Sequence, residues 1–587
     1  MINGRTYLVG QSQSLILIFM HHYLINYIKN NNIIRIAAIL ILIYLYCSVF
    51  NPFFYNAKGY ALFCMQAYNL ALNAAFICLC IKIRYVGLPI FIATGIYFGL
   101  LSYIHREFGY SLSNELIFAT FETTTEESSA FITVYSVLFF ILYIIFTIFV
   151  FYSVRFLIPN HFFKTRKHKL FYYAITAATY VGLYFLPSII FHKLPWEDKT
   201  IPDKIVRELS AEHYKWMPFF DVPNQRAPYE AFTRTYRTPH GEFSILISGI
   251  KDYFEEINLV NTASYPSTCE LQKDDELIVI LVIGESVRAD HMGLNGYHRN
   301  TTPKLKNTPG IIPLTRMYSY GGSTEFSFRS IMTGLTRENE QISRTSFVPI
   351  LQLHHFHCSY YAENAANMCN SRHMKPVIGN FLNEGEIVKG TIVKTAGAIS
   401  DKILNNKERR KFVIIQNGIG HYPYAHEKKY SIFSPSKHHT KKDDAQRTGL
   451  LNDYDNCIVA ADDFLHAIIT AVKDKKTILL YCSDHGELLG EDNKWNHGDP
   501  QNPYLRHVAA FVWMSDSYKA QYPQIAQEFL KIKDKPLVHG QFYATILKLC
   551  GIKTTAPLNI GDFFEDDIRN HENNLPQQIR DSIENEK

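Results

Sequence analysis

Two hydrophobic patterns divide the chain. Residues 1–192 are dominated by long, nearly unbroken apolar runs. After that, apolar runs of strand length alternate with longer helical stretches. A helix that crosses a membrane needs about 20 mainly apolar residues. Five runs meet that need: Ile33–Phe54, Tyr60–Ile81, Tyr85–Tyr103, Phe131–Phe151 and Leu170–Phe191. The second carries Gln66, Asn69 and Asn73, so it is expected to face protein rather than lipid. Segment 15–28 is apolar but short and holds His21 and His22, so it is not counted as a span. No small-residue cleavage site follows it, so it does not read as a signal peptide.

Cationic residues orient the spans. Lys29 and Arg35 flank the first run, Lys82 and Arg84 separate the second from the third, and Arg155, Lys164, Arg166, Lys167 and Lys169 separate the fourth from the fifth. These are alternate loops, and the positive-inside bias places them all on the cytoplasmic side. Five spans from a cytoplasmic N-terminus carry everything after residue 192 to the outer face.

Residues 193–270 are mixed and dotted with proline, and are read as a linker with short helices at the membrane surface. A globular pattern then occupies 271–565. Its apolar runs ELIVILVIG, RKFVIIQNG, KKTILLYCSD and HVAAFVWMSD predict an α/β fold with a mostly parallel sheet buried on both faces. Residues 566–587 form a polar tail.

Composition narrows the class. Charged residues make up 19 % of the chain, below the roughly 25 % of soluble proteins. A net charge of +5 over 587 residues does not call for a polyanion such as nucleic acid as partner. Large-scale disorder is excluded by the high apolar content. Cys47, Cys64, Cys78 and Cys80 fall in predicted spans and are read as packing residues. An oxidising compartment permits disulfides among the others, and Cys358–Cys369 is the candidate pair. Cys457 and Cys482 are expected to be buried thiols.

In open α/β sheets, ligands bind beyond the carboxyl ends of the strands. Glu285 follows the first run, Asp484 and His485 follow the third, His421 follows the second, and His497 lies in a nearby loop. Carboxylate and imidazole are the ligands of a hydrolytic or transfer-type zinc site. Singly, each residue could be a cap or a surface residue. Their coincidence at one sheet edge is the signal. The loop Tyr320-Gly321-Gly322-Ser323-Thr324 precedes a predicted helix, where backbone N–H groups favour phosphate oxygens. Thr324 is a candidate nucleophile if metal coordination activates it. The alternative is that Ser323 or Thr324 only caps the helix.

At this point the residues resemble a known family. VIGESVRADHMGLNGYHRNTTPKL (282–305), GGSTEFS (321–327), CSDHGELLGE (482–491) and WNHG (495–498) are similar to the phosphoethanolamine transferases of Gram-negative bacteria, within the alkaline phosphatase/sulfatase superfamily. FETTTEES (121–128) is similar to the family's FETN-type outer loop. The resemblance implies a membrane domain of five helices and an alkaline-phosphatase-like periplasmic domain. It implies Glu285, Thr324, Asp484 and His485 as the shell of one zinc ion, with room for a second. Thr324 is then the nucleophile, His421 and His497 contact the substrate phosphate or a second zinc, and Glu122 faces the donor headgroup. The implied donor is phosphatidylethanolamine and the implied acceptor is lipopolysaccharide, on core sugar or lipid A. The implied location is the inner membrane, as a monomer with no nucleic-acid partner, and a polymyxin-resistance effect follows if surface charge is reduced. Tyr320 and Ser330 stand where lipid A members carry a cysteine pair, and Thr124 replaces the FETN asparagine, features closer to the core-heptose branch. A phosphoglycerol transferase resembling lipoteichoic acid synthase uses the same threonine and metal site and is the alternative. A sulfatase is disfavoured, since Thr324-Glu325-Phe326 offers no formylglycine motif.

Overall fold

The computed structural model describes residues 31–49, 59–81, 85–108, 117, 120–121, 134–158, 165–192, 246–247, 249–251, 253–254, 266–272, 274–335, 346–363, 368–371, 374–436, 447–491, 495–498, 502–555 and 561–564. Segment 15–28, Glu122, most of 193–270 and the tail lie outside them. The chain separates into two compact units, one of residues 1–106 and 131–244, the other of 107–130 and 245–587.

Among the described residues, the first unit carries five long helices: α1 (Asn32–Val49), α2 (Gly59–Cys80), α3 (Gly87–Phe108), α4 (Val134–Leu157) and α5 (Arg166–His192). Each overlaps one predicted span. The inner faces of α1 to α4 pack Ile43, Tyr46, Ile77, Phe91, Tyr143 and Phe151 into one cluster. The close approach of α3 to α4 depends on Gly95, where a Cβ would lie 2.7 Å from Thr147 Cγ2. Asn73 of α2 is buried, as its polarity predicts. Arg155 donates to the carbonyl of Ile81 at 3.0 Å, satisfying an acceptor at the end of α2. Leu142, Phe149 and Phe171 point outward and are exposed. Among the described residues, Ser136–Leu157 is long and apolar enough to cross a membrane on its own measure, while Ile33–Tyr46, Leu70–Cys80 and Gly87–Leu101 are shorter apolar stretches.

The second unit is built on a sheet whose described strands number seven. They are β1 (Leu277–Gly284), β2 (Ile311–Pro313), β3 (His357–Glu363), β4 (Glu384–Val388), β5 (Arg410–Asn417), β6 (Thr477–Ser483) and β7 (Ala510–Met514). Their spatial order is β2-β7-β6-β1-β5-β3-β4. The run from β6 to β4 is parallel, whereas β7 is antiparallel to both β6 and β2. The sheet is therefore mixed. The predicted run HVAAFVWMSD is split, with His507–Val508 pairing Met317–Tyr318 in a separate ribbon and only β7 joining the main sheet.

Every residue of β1, β5 and β6 is buried. Alternate residues of β1 feed two cores, because strand side chains alternate across the sheet. Leu277, Val279, Leu281 and Ile283 pack with Phe328, Ile331 and Met332 of α6 (Thr324–Thr333) and with Phe542 and Ile546 of α9 (Gln541–Leu549). Ile278, Ile280 and Val282 pack with Ile399 and Ile403 of α7 (Ile392–Asn405) and Phe464, Leu465 and Ile468 of α8 (Arg447–Val472). Register aligns the strand ends: Gly284 pairs with Asn417 on one side and with Ser483 on the other. The residues that follow these three strands thus start from one edge.

Cys358 and Cys369 are buried free thiols, so the candidate disulfide is not formed. Cys358 lies within β3, and its thiol faces the Phe356 carbonyl at 3.7 Å instead. Cys457 and Cys482 are buried thiols, as expected. In segment 107–130, grouped with this unit, Phe121 stacks on Tyr253 with ring centroids 4.6 Å apart.

Candidate active site

Glu285 is the first residue beyond β1. It caps no regular helix, because the chain next makes only short 3-10 turns at Ala289–His291 and Gly293–Asn295. Ser286 adopts φ +62°, turning the chain sharply. Its hydroxyl donates to Glu285 Oε1 at 2.8 Å, and its N–H donates to Asp484 Oδ1 at 3.0 Å. Gly420, at φ +124°, passes beneath this turn, and a Cβ there would lie 2.3 Å from the Glu285 carbonyl oxygen.

Asp484 and His485 are the first residues beyond β6. Asp484 Oδ1 also accepts the His485 N–H at 2.7 Å. Among the described residues, Asp484 Oδ2 is buried without a hydrogen-bond partner. The His485 ring is wholly buried, and its Nδ1 lies 2.8 Å from the Gly486 carbonyl. A carbonyl only accepts, so Nδ1 carries the proton. In the neutral ring the Nε2 lone pair therefore faces the carboxylates.

Thr324 opens α6, and Ser323 occupies the N-cap position. The Ser323 hydroxyl is buried and makes no hydrogen bond among the described residues, so it does not serve as a cap. The positive end of the α6 dipole lies at Thr324, a position that favours an anion. Thr324 Oγ1 lies 3.2 Å from His485 Nε2 and 3.3 Å from Glu285 Oε2. His485 Nε2 in turn lies 3.5 Å from Glu285 Oε1 and 3.5 Å from Asp484 Oδ2.

These four side chains fit a zinc ion. Ligands at about 2.0–2.1 Å in a tetrahedron are separated by about 3.3–3.4 Å, close to the distances observed. Among the described residues, no Lys or Arg lies in ion-pair range of Asp484, whose burial calls for a positive partner. Glu285, Asp484 and His485 also group by proximity as a potential metal-binding set.

A second set lies alongside. His497 Nδ1 is 2.8 Å from Glu487 Oε2, and the rings of His485 and His497 are 4.2 Å apart. His485, Glu487 and His497 form a further potential metal-binding group. Glu487 is fully buried, and its Oε1 accepts the Tyr424 hydroxyl at 2.7 Å. Burial holds the Tyr424 hydroxyl well above its usual pKa, so it remains a donor. His421 sits at the periphery, its ring 6.2 Å from that of His497. Its Nδ1 donates to the Tyr422 carbonyl at 2.6 Å, which leaves Nε2 as the acceptor.

The structure thus brings together Glu285, Thr324, Asp484 and His485, with His497 adjacent and His421 further out. Glu122 falls outside the described residues, though its neighbour Phe121 is placed. Sequence reasoning missed Glu487 and Tyr424. Glu487 lies inside the stretch CSDHGELLGE, but no spacing rule distinguishes it there from Glu491.

Residues 278–552 match the Sulfatase family, and residues 70–200 match the family described as phosphoethanolamine transferase EptA/EptB. The chain is 28 % identical over 315 residues to the Kdo(2)-lipid A phosphoethanolamine 7''-transferase of Salmonella typhimurium, covering 50 % of this chain and 55 % of that protein. It is 25 % identical over 296 residues to the phosphatidylethanolamine transferase Mcr-1 of Escherichia coli, covering 46 % of this chain and 53 % of that one. These alignments span about half the length of the curated relatives. The integral membrane lipooligosaccharide phosphoethanolamine transferase A of Neisseria meningitidis shares the fold, with a TM-score of 0.68 at 18 % identity over 90 % of this chain and 97 % of that one. In both halves the chain is thus similar to the phosphoethanolamine transferases, its second half by way of the Sulfatase family.

Proposed function

We propose that this protein transfers phosphoethanolamine from phosphatidylethanolamine to lipopolysaccharide, on core sugar or lipid A. The observation that carries this reading is the Thr324 hydroxyl, set between Glu285 and His485 at the uncapped start of α6. That position offers a nucleophile, an acceptor for its proton and the positive end of a helix dipole for phosphoryl oxygens.

Glu285, Thr324, Asp484 and His485 would hold zinc, and a second ion has candidate ligands in His497 and Glu487. Bound zinc supplies Lewis acidity to the hydroxyl and the phosphoryl group. Thr324 Oγ1 attacks phosphorus, the bond to the diacylglycerol oxygen breaks, and that oxygen takes a proton. Phosphoethanolamine then rests on Thr324. An acceptor hydroxyl or phosphate oxygen attacks the same phosphorus, the bond to Thr324 breaks, and any proton the acceptor carried leaves to a base. His421 or His497 serves as acid or base for the leaving or entering oxygen.

The five helices are read as inner-membrane spans within residues 1–192, followed by a surface linker to 270, a periplasmic domain over 271–565 and a polar tail. The outer loop, with Glu122, would face the donor headgroup. Such an arrangement suits a reaction whose donor and acceptor are both lipids.

Mass spectrometry of lipopolysaccharide from cells expressing wild type or Thr324→Ala tests the reading. A phosphoethanolamine increment in the wild type alone supports it, and fragmentation assigns the acceptor to lipid A or core sugar. An increment of equal size in both strains overturns the role of Thr324, and none in either overturns the reaction.

A further inference from the structure

We infer that His539 is a positioning residue that locks the nucleophile loop to the strand end carrying Asp484 and His485. The inference rests on the reading above that these residues form one centre. His539 is completely buried. Its Nδ1 lies 3.3 Å from the backbone nitrogen of Tyr320, four residues before Thr324. Its Nε2 lies 3.1 Å from the carbonyl of Ser483, the residue before Asp484. An amide N–H can only donate and a carbonyl can only accept. The ring is therefore fixed as the neutral tautomer protonated on Nε2. Both ring nitrogens are committed, one to each half of the site.

The backbone prepares this bridge. Leu537–Val538 pairs in parallel with Met317–Tyr318, and the His539 N–H donates to the Tyr318 carbonyl at 3.2 Å. The ring thus starts from a strand already tied to the segment that leads into the Gly321–Gly322 turn. Cys482 Sγ, 3.3 Å from Nε2, packs against the same edge. The two segments it joins carry Thr324 on one side and Asp484 and His485 on the other. Relaxing the bridge lets the ligand sets drift apart without removing any ligand.

Three substitutions in the full-length protein separate this role from a merely structural one. His539→Ala removes both links. His539→Asn can place an oxygen where Nδ1 stood, restoring the link to Tyr320. His539→Gln can place an amide nitrogen where Nε2 stood, restoring the link to Ser483. Three quantities are read: zinc affinity by competition with a chelator, kcat and KM for transfer from phosphatidylethanolamine vesicles to lipopolysaccharide, and the melting temperature. Outer-shell partners of metal sites are worth about 10–100-fold, and a fall of that size in zinc affinity and kcat is expected for Ala. KM for the donor stays unchanged, and Asn and Gln each recover part of the loss. Wild-type zinc affinity and kcat in all three variants overturn the inference. So do losses that follow the melting temperature alone, with Asn and Gln no better than Ala. If the wild type itself transfers no phosphoethanolamine, the functional reading fails, while the zinc affinities still decide the role of His539.

Discussion

The Thr324 hydroxyl lies 3.2 Å from His485 Nε2, the one ring nitrogen of that residue not committed to the backbone. A hydroxyl so placed faces the Glu285 and His485 side chains instead of its own helix. Thr324→Ala is expected to lower transfer at least about 10³-fold, the scale seen when a nucleophile is removed. Thr324→Ser keeps the oxygen and loses one methyl, so a loss of only about 3–10-fold is expected. Single-turnover transfer assays on the two variants check this, and equal losses in both argue that the oxygen is not the reacting atom.

Asp484 makes a second, oppositely signed prediction. Its Oδ2 is buried with no hydrogen bond, beside a second carboxylate on Glu285. Asp484→Asn should weaken zinc binding by about 100-fold or more, since a charged ligand is lost. Without metal the sign reverses, because the variant relieves the burial of an unpaired charge. Melting temperatures with excess zinc and with chelator check both. The wild type is expected to be the more stable protein with zinc, and the variant the more stable without it.

Much of this site was legible because of where chemistry sits on an α/β sheet. β1, β5 and β6 are buried on both faces and read as unbroken apolar runs. The carboxylates and imidazole beyond them were therefore found from strand ends alone. β3, HCSYYAE, was missed because its polar residues mask the run, and β4, EGEIV, because it is an exposed edge. The antiparallel direction of β7 was illegible, since apolar content carries no direction. Glu487 meets Tyr424 from 63 positions away. His539 meets a residue 219 positions away and another 56 away, and no local pattern reports that.

Gly420 lies under the Glu285 turn at φ +124°, with only 2.3 Å available to a Cβ before the Glu285 carbonyl oxygen. Gly420→Ala therefore carries both backbone strain and a clash with backbone that cannot rotate away. A stability loss of about 1–3 kcal/mol is expected, together with weaker zinc binding as Glu285 is pushed aside. Denaturant unfolding and chelator competition on one preparation check this. A variant that loses stability but keeps zinc affinity shows that the strain is absorbed in the 420 loop.

Glu487 holds His497 by a 2.8 Å contact to Nδ1 and is itself held by Tyr424. If Glu487 acts by fixing the His497 ring, Glu487→Gln and His497→Ala should not be additive. Each single change is expected to lower kcat about 10–100-fold, and the double variant little further. A cycle of the four proteins, measured for transfer, checks this. Additive losses show that Glu487 contributes independently, as a ligand in its own right.

His539 gives the pH dependence of stability a definite sign. Burial drives its pKa down to about 3 in the folded protein, against about 6.5 in the unfolded chain. The unfolded state thus binds the proton more readily. Its contribution is fully present above pH 6.5 and is lost as the pH falls toward 3. At pH 5 the loss is about 2 kcal/mol relative to a side chain that does not titrate. His539→Gln is such a side chain. Wild type should be the more stable protein at pH 8, because both ring bonds are intact, and its advantage should shrink by about that amount at pH 5. Unfolding free energies of the two proteins at both pH values check this. An advantage that stays constant shows that the His539 ring is free to take up a proton in the folded state, which its bond from the Tyr320 N–H forbids.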